Sequence, residues 1–355
     1  MGDHCCRCSR LAAWPKATMK NVASRVKSIT RRLRPSTEQN LDCPLVQLPV
    51  DILVSVTRHL SEVDRHVLAM TCRALWTVIR RCDGSVSSLS QYQYLGYLTT
   101  ISRDNPDLWV CESCTKVHPA SDLTCPQHGR QTRLAGTSVK LSLQHRHVQL
   151  ALKLERLGNL GKKQRERLDR LTVPQRGNIS THSTKMGHVR CEYAAYPKIV
   201  KGRYLVLSVW TYEQRSQPIS QEVIEWLSIC HHQRLDFKMG FVERFFWDDE
   251  RQNLEMGGSR PSRPKNALRF AFELARRRPR TAVGGSCTKC PVDFSVNFSP
   301  ERMTLRAWHD FGPEGTSLDP AWMVHVQPRF GFRDHDMTLG HPEGSVRALY
   351  ESVKL

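Results

Sequence analysis

Apolar positions recur with helical spacing in the segment from residue 44 to residue 82. Ile52, Val56 and Leu60 lie at intervals of four residues, as the buried stripe of a helix does. Pro49 suits the first turn of this helix, where the missing N–H of proline costs nothing. The spacing therefore predicts an amphipathic helix that starts close to Pro49.

Two further short helices are predicted after it. Ser61 can cap the second helix, and Asp64 follows three residues later in a capping-box-like pair. Leu75 and Ile79 mark the inner face of the third helix. The segment 44–82 is thus predicted to be a bundle of three short helices. Such a bundle is too small to be very stable alone and favours docking onto a partner.

Longer helical patterns occur beyond residue 136. Residues 145–171 are rich in leucine and basic residues, and a break is expected at Gly158 or Gly161. Residues 220–230 and 266–278 also show apolar positions on one helical face.

Strands are predicted in the same region. Residues 196–200 and 203–212 are apolar runs around a Lys201–Gly202 turn, and residues 292–298 and 303–308 alternate between apolar and polar. The expected fold class is α+β: a three-helix N-terminal module followed by a mixed α/β domain that contains cysteines.

The expected domain boundaries follow from these patterns and from shifts in composition. They are a basic disordered tail over residues 1–43, the helical module over 44–82, a cysteine-containing knuckle over 83–135 and an α+β domain over 136–355.

The 355 residues carry a net charge of +19, which favours contact with nucleic acid, anionic lipid or an acidic protein. No nucleic-acid recognition motif accompanies this charge, so nucleic acid is not expected as a partner. No apolar run reaches the roughly 18 residues that a membrane helix needs, and no membrane span is expected.

Much of the positive charge lies in the N-terminal tail, which has nine Lys or Arg between Asp3 and Glu38. Apolar residues from Met19 to Leu33 form one stripe of a basic helix, which fits a mitochondrial presequence, a surface-binding helix or a nuclear import signal. A disordered solvated tail is the plain alternative. We expect the nucleus and/or the cytoplasm, with mitochondrial import as the competing interpretation.

The chain has 13 cysteines and shows no secretory signal, so paired cysteines are interpreted as metal ligands before disulfides. Cys111 and Cys114 form a C-x2-C pair, and Cys125 and His128 form a C-x2-H pair. Four such ligands can surround a tetrahedral zinc ion, with His118 as a rival to His128.

A second set of ligands is more widely spaced. Cys287 and Cys290 form another C-x2-C pair, which Cys230 and His232 could complete. The alternative is a tight turn that leads into a hairpin with buried sulfurs. Four protein ligands leave no open position on zinc, so either site would be structural. The chain lacks a P-loop, G-x-S-x-G and H-E-x-x-H, and no enzyme activity is expected.

The residues of the helical module resemble the F-box family over about 35 positions. The resemblance rests on Leu48-Pro49, Asp51, Ile52-Leu53, Val56, Leu60, Asp64, Leu68, Thr71-Cys72-Arg73 and Leu75. Arg65 departs from the family, which usually has an apolar residue there. The resemblance implies binding to a Skp-type adaptor, and through it to a cullin. The implied adaptor contacts are Leu48, Pro49, Ile52, Leu53, Leu60 and Trp76.

The C-terminal part is similar to a group of filamentous-fungal F-box proteins. The similarity lies in a C-x-x-C strand followed by a W-x-D-x-G…D-P-x-W segment, here Trp308 to Gly312 and Asp319 to Trp322, with Phe311 where the group usually has Leu.

Taken together, these resemblances imply a substrate receptor of an SCF-type (Skp–cullin–F-box) ubiquitin ligase, whose C-terminal domain binds a target protein that the sequence does not identify. Two alternatives stay open: a scaffold or regulator that binds the adaptor outside a ligase, and a basic zinc-containing protein that binds nucleic acid.

Overall fold

A computed structural model describes residues 43–82, 89–125, 143–178, 189–216, 218–220, 224, 226–236, 266–326 and 337–353. The chain divides into two compact units, with the boundary between Tyr97 and Leu98. The predicted basic tail lies outside the described residues except for its last position, Cys43. The described helices and strands together confirm the α+β class.

The first unit contains three short helices between residues 50 and 82. They are α1 (Val50–His59), α2 (Glu62–Ala69) and α3 (Arg73–Cys82), and α4 (Gln91–Ser102) begins in this unit. Pro49 is the residue before α1, and its carbonyl accepts from the Leu53 amide at 3.1 Å. Ser61 caps α2 as predicted, because its Oγ accepts from the Asp64 amide at 3.1 Å. Buried side chains from all three helices form the interior: Leu53, Ala69, Leu75 and Ile79.

The second unit is built around a sheet. Its helices are α5 (His145–Leu157), α6 (Lys162–Thr172), α7 (Ala267–Arg277), α8 (Pro320–Met323) and α9 (Ser345–Glu351). Its strands are β1 (Leu108–Cys111), β2 (Lys116–Pro119), β3 (Gln175–Asn178), β4 (Val189–Val200), β5 (Arg203–Gln214), β6 (Trp226–Cys230), β7 (Gln233–Asp236), β8 (Val283–Ser286), β9 (Val292–Phe298) and β10 (Arg302–Pro313).

Six of these strands form one antiparallel sheet in the order β3-β4-β5-β10-β9-β8. The predicted Lys201–Gly202 turn joins β4 to β5, and both residues have positive φ angles of 49° and 70°. That conformation is the one a two-residue hairpin turn requires. The strands predicted at 196–200, 203–212 and 303–308 are confirmed, and each extends further than the apolar pattern indicated.

The predicted break between α5 and α6 is confirmed at both glycines. Gly158 ends α5 with φ 64°, and Gly161 precedes α6. The helix predicted over 220–230 is wrong in its second half, because residues 226–230 form β6. Leu227, Ser228 and Ile229 are all buried. Both faces of this strand are therefore covered, and a short apolar run of that kind carries no alternation to distinguish it from a helix.

The two faces of the sheet pack against different elements. A large core lies on one face and includes Phe272 of α7, while α9 packs on the other face through Val346 and Tyr350 against Leu205 and Trp308. None of the described helices is long and apolar enough to cross a membrane.

The segment from residue 339 to residue 351, here called the C-terminal latch, is fixed by one buried carboxylate. Asp293 of β9 accepts from His341 Nε2 at 3.0 Å, from the Gly344 amide at 3.0 Å and from the Arg347 amide at 2.9 Å. The latch is thereby fastened to the strand that follows Cys290.

Candidate metal centres

The first candidate centre lies on the β1–β2 hairpin. Cys111 ends β1, Cys114 lies in the turn, His118 is in β2 and Cys125 follows, and their ligand atoms all lie within 4.8 Å of one another. Cys114 Sγ and His118 Nε2 are 3.0 Å apart. His128, the predicted fourth ligand, lies outside the described residues. Among the described residues, the rival His118 is the histidine that lies with the three cysteines.

Strand pairing explains why these residues meet. In the hairpin Cys111 pairs with Lys116, so a four-residue turn carries Cys114 back beside Cys111. Trp109 pairs with His118, and the two rings stack at 4.7 Å. This stacking fixes the imidazole on the face of the hairpin from which the Cys111 side chain also projects, because residues two apart in a strand share a face.

The hairpin shares its core with α5 and does not stand alone. Trp109, Cys111 and Cys125 are buried together with Leu150 and Leu154, and the Val110 amide donates to Gln149 Oε1 at 3.0 Å. In the structure the hairpin and α5 therefore belong to the same compact unit. A short hairpin cannot enclose a core by itself and borrows one face of a helix.

Electrostatics at this centre indicate one thiolate and a retained proton. A hydrogen bond from the Cys114 thiol lowers the pKa of Cys111 to about 4. The same hydrogen bond, together with burial, raises the pKa of Cys114. A bound dication would displace the proton that Cys114 retains, because thiolates are the form that binds metal.

Arg146 of α5 supplies a positive charge next to this cluster. Sequence reasoning did not predict this contact. Its guanidinium lies 5.2 Å from the Trp109 ring centre and interacts electrostatically with Cys111 and Cys125. Its Nε and Nη1 are buried without a hydrogen-bond partner in the described part of the chain. Three thiolates and a neutral imidazole around a dication carry a net charge of −1, which this guanidinium offsets. Nothing in the sequence pattern marks Arg146, because the contact depends on α5 packing against the hairpin.

The second candidate centre joins two hairpins that are far apart in sequence. Cys230 ends β6, His232 lies in the β6–β7 turn, Cys287 and Cys290 lie in the β8–β9 turn, and their ligand atoms all lie within 4.8 Å of one another. The structure brings together the four residues that the sequence analysis grouped. A tight turn into a hairpin, the alternative interpretation, is also present here, so the two interpretations are compatible.

The β8–β9 turn is shaped around the Cys287 sulfur. The Lys289 amide donates to Cys287 Sγ at 3.4 Å, and the Cys287 amide donates to the Val292 carbonyl at 2.8 Å. Hydrogen bonds from the Cys230 and Cys290 thiols lower the pKa of Cys287 strongly. Burial raises the pKa of Cys230, and the hydrogen bonds of the Cys290 thiol to its two neighbours raise the pKa of Cys290.

Both clusters could hold a metal ion. The ligand atoms of tetrahedral zinc lie about 3.4–3.8 Å apart, given Zn–S of about 2.3 Å and Zn–N of about 2.1 Å. In each cluster the four ligand atoms lie within 4.8 Å of one another. The Nδ1 atom of His232 is buried and has no hydrogen-bond partner among the described residues. Three sulfurs and one nitrogen are a donor set typical of structural zinc.

The residues predicted to contact an adaptor lie in the first unit. Four of the six are exposed on its surface: Leu48, Pro49, Ile52 and Trp76. Leu60 is half-buried, and Leu53 is buried with only 5% of its surface exposed. The structure therefore places Leu53 in the interior and brings five of the predicted residues at least partly to the surface.

No known family model matches this chain, and no curated protein or solved structure was found to be similar to it. Its function must therefore be argued from its own residues.

Proposed function

We propose that this chain is the substrate-recognition subunit of an SCF-type ubiquitin ligase. In this proposal α1–α3 bind a Skp-type adaptor, which binds the cullin, and the second unit binds a target protein. The observation that carries the proposal is the set of large apolar side chains exposed on the first unit, in the segment that resembles an F-box. They are Leu48, Val50, Ile52, Val56, Met70 and Trp76.

Several large apolar side chains exposed on one small helical unit favour binding to a partner protein. Ile52 and Val56 lie one helical turn apart on α1, and 46% and 39% of their surfaces are exposed. Side chains four residues apart share a helix face and can enter one groove of a partner. Contiguous exposed apolar patches usually mark interaction sites. In this scheme the buried Leu53 stabilises the bundle that presents the contacts.

The adaptor interaction can be tested by measuring the affinity of purified Skp-type adaptor for wild type and for a Leu48→Ala/Ile52→Ala variant. We expect the variant to bind at least about 30-fold more weakly, because truncated anchor residues cost about 2 kcal/mol or more. The matched control is Val173→Ala/Met337→Ala, which truncates two apolar side chains exposed in the second unit. This control should bind within about twofold of wild type. A folded wild-type protein that does not bind the adaptor would refute the proposal.

We further propose that both candidate centres hold structural zinc. Four protein ligands complete a tetrahedral ion, so the metal would stabilise the fold and would not act on a substrate. The chemistry of ubiquitin transfer then belongs to other subunits of the ligase.

Metal content measured by elemental mass spectrometry tests this second point. Wild type should hold two zinc ions per chain, and Cys114→Ser and Cys287→Ser should each hold one, because each removes a ligand from one cluster only. Cys191→Ala is the control, since Cys191 is a buried thiol of the same unit outside both clusters. Two ions retained by either serine variant would contradict the assignment.

A further inference from the structure

Helix α7 has two faces of opposite character. Its inner face is buried in the main core through Leu268, Ala271, Phe272 and Ala275. Its outer face carries Phe270, 51% of which is exposed, with the half-buried Leu274 one turn later. A large aromatic side chain is thus exposed to solvent on a helix whose opposite face is buried in the core.

Several exposed arginines lie at and just after the end of α7. Arg277 lies seven residues after Phe270, so the two share a face of the helix. Arg277, Arg278 and Arg280 are all exposed, and no acidic residue occurs between Glu273 and Asp293 in the sequence. The surface formed by Phe270, Leu274, Arg277, Arg278 and Arg280 is called the arginine face below.

Two acidic residues lie close to the arginine face and offset the charges of two neighbouring arginines. Glu273 forms an ion pair with Arg276 at 3.6 Å, and Glu301 interacts electrostatically with Arg280. Arg277 and Arg278 form no ion pair with an acidic residue in the part of the chain that the structure describes. Among the described residues, no acidic partner thus competes with a ligand for these two charges.

The backbone beneath these arginines is held in place by the sheet. The Arg280 amide donates to the Phe298 carbonyl at the end of β9 at 2.9 Å, and the Thr281 amide donates to the Arg278 carbonyl at 3.2 Å. Arg280 has a φ of 66°, a conformation that costs a non-glycine residue free energy and persists only when its surroundings fix it. A fixed backbone lowers the entropy that is lost when a ligand binds.

We propose that the arginine face binds an acidic segment of a polypeptide that also carries an apolar side chain. Arginine guanidinium groups pair with anionic oxygens, whether of carboxylates or of phosphorylated side chains, through two hydrogen bonds at once. Phe270 and Leu274 provide an apolar contact beside these pairs. The inference rests on the proposed function in one respect, namely that the acidic segment belongs to the target protein.

A polypeptide fits this surface better than nucleic acid does. Proteins that bind nucleic acid mainly through its backbone neutralise many phosphates, whereas the arginine face offers three arginines. Its apolar half contributes nothing to a phosphate backbone but can bury an aliphatic or aromatic side chain of a peptide.

The test measures the binding of a short fluorescent peptide in which Glu alternates with Leu, by anisotropy with the full-length protein at fixed ionic strength. An Arg277→Gln/Arg278→Gln variant should bind the peptide about tenfold or more weakly than wild type. Lys162→Gln/Lys163→Gln is the matched control, because it removes the same charge from two exposed residues at one end of α6. The control should bind within about twofold of wild type. Phe270→Ser should weaken the binding of the Leu-containing peptide more than that of a peptide with Ser in place of Leu.

Three results would overturn the inference. The first is an equal loss of peptide affinity in the arginine and lysine variants, which would indicate a general effect of the net charge. The second is no binding of the peptide by folded wild type, and the third is displacement of the peptide by duplex DNA that binds the arginine face more tightly. A second peptide with phosphoserine in place of Glu is measured in the same way. The peptide that binds more tightly shows whether the arginine face prefers phosphorylated side chains or carboxylates. Adaptor affinity is measured on the same variants and should stay within about twofold of wild type, so that a failure of the arginine face is distinct from a failure of adaptor binding.

Discussion

Single residues of the C-terminal sequence motif have clear structural roles. Asp310 accepts from the Gly312 amide at 2.8 Å and from Arg203 Nε at 2.7 Å. Trp322 is buried against Phe311, with ring centres 5.8 Å apart. The residues of this motif therefore shape the passage from β10 to α8, and packing is sufficient to explain them.

Gly312 of this motif has no room for a side chain unless its surroundings shift. Its φ is 88°, and a Cβ there would lie 2.5 Å from the Cβ of Ala321. We expect Gly312→Ala to lower the free energy of unfolding by about 2–4 kcal/mol, from backbone strain plus overpacking. Gly344→Ala is the control, since Gly344 has a φ of 80° with open space around it, and it should cost about 1 kcal/mol. Equal losses in urea denaturation would show that the contact with Ala321 relaxes freely.

Lys153 presents a different case, a buried ammonium with uncharged partners. Its Nζ donates to the carbonyls of Ser102 and Leu108 at 2.8 Å each. Burial lowers the pKa of Lys153 to about 8, compared with about 10.4 for an unfolded chain. Below pH 8 the folded state holds a desolvated charge at full cost. Between pH 8 and 10 the folded state releases this proton before the unfolded state does, so the cost disappears as pH rises.

The stability difference between wild type and Lys153→Met should therefore grow with pH. We expect it to increase by about 2 kcal/mol in favour of wild type between pH 7 and pH 9.5. Urea denaturation at both pH values measures this, and Lys162→Met, which alters an exposed lysine, should show no such trend. A difference that is constant across the pH range would mean that Lys153 keeps an ordinary pKa.

At the scale of elements, turns between strands place half of the proposed metal ligands. The β8–β9 turn carries Cys287 and Cys290, and it also holds the C-terminal latch: the Lys289 carbonyl accepts from the Leu339 amide at 2.9 Å, and Asp293 holds the rest of the latch three residues after Cys290. A metal ion at the second centre would fix this turn. Loss of the ion should consequently loosen residues that are far from the ligands in sequence.

Hydrogen exchange can show this coupling between the second centre and the latch. We expect the amides of Gly344 and Arg347 to exchange faster in Cys287→Ser than in wild type, by about tenfold for each 1.4 kcal/mol of local stability lost. The Cys191→Ala variant keeps both clusters, and in it the amides of Gly344 and Arg347 should exchange as slowly as in wild type. Unchanged protection in a Cys287→Ser protein that has lost one metal ion would show that the latch is independent of the centre.

At the scale of the whole molecule, the sequence predicted local features better than long-range ones. The α2 cap at Ser61, the Lys201–Gly202 turn and the break at Gly158 depend on neighbours in the chain, and all three are confirmed. The position of His118 beside the three cysteines depends on strand register, and the position of Arg146 depends on how α5 packs. Such contacts are set by tertiary structure, which no local pattern encodes.

Both candidate metal centres lie in the second unit, whereas the proposed adaptor contacts lie in the first. Metal binding contributes directly to the folding free energy of the unit that supplies the ligands. Removal of metal with a chelator should therefore lower the melting temperature of the second unit, while the affinity for the Skp-type adaptor should change by less than about twofold. Calorimetry with and without chelator, combined with adaptor binding under the same conditions, measures both effects. The Cys114→Ser/Cys287→Ser variant, which should hold no zinc, provides a control without chelator. Parallel loss of adaptor binding and metal would show that the first unit depends on the second for its fold, and would rule out adaptor docking by an independent helical module.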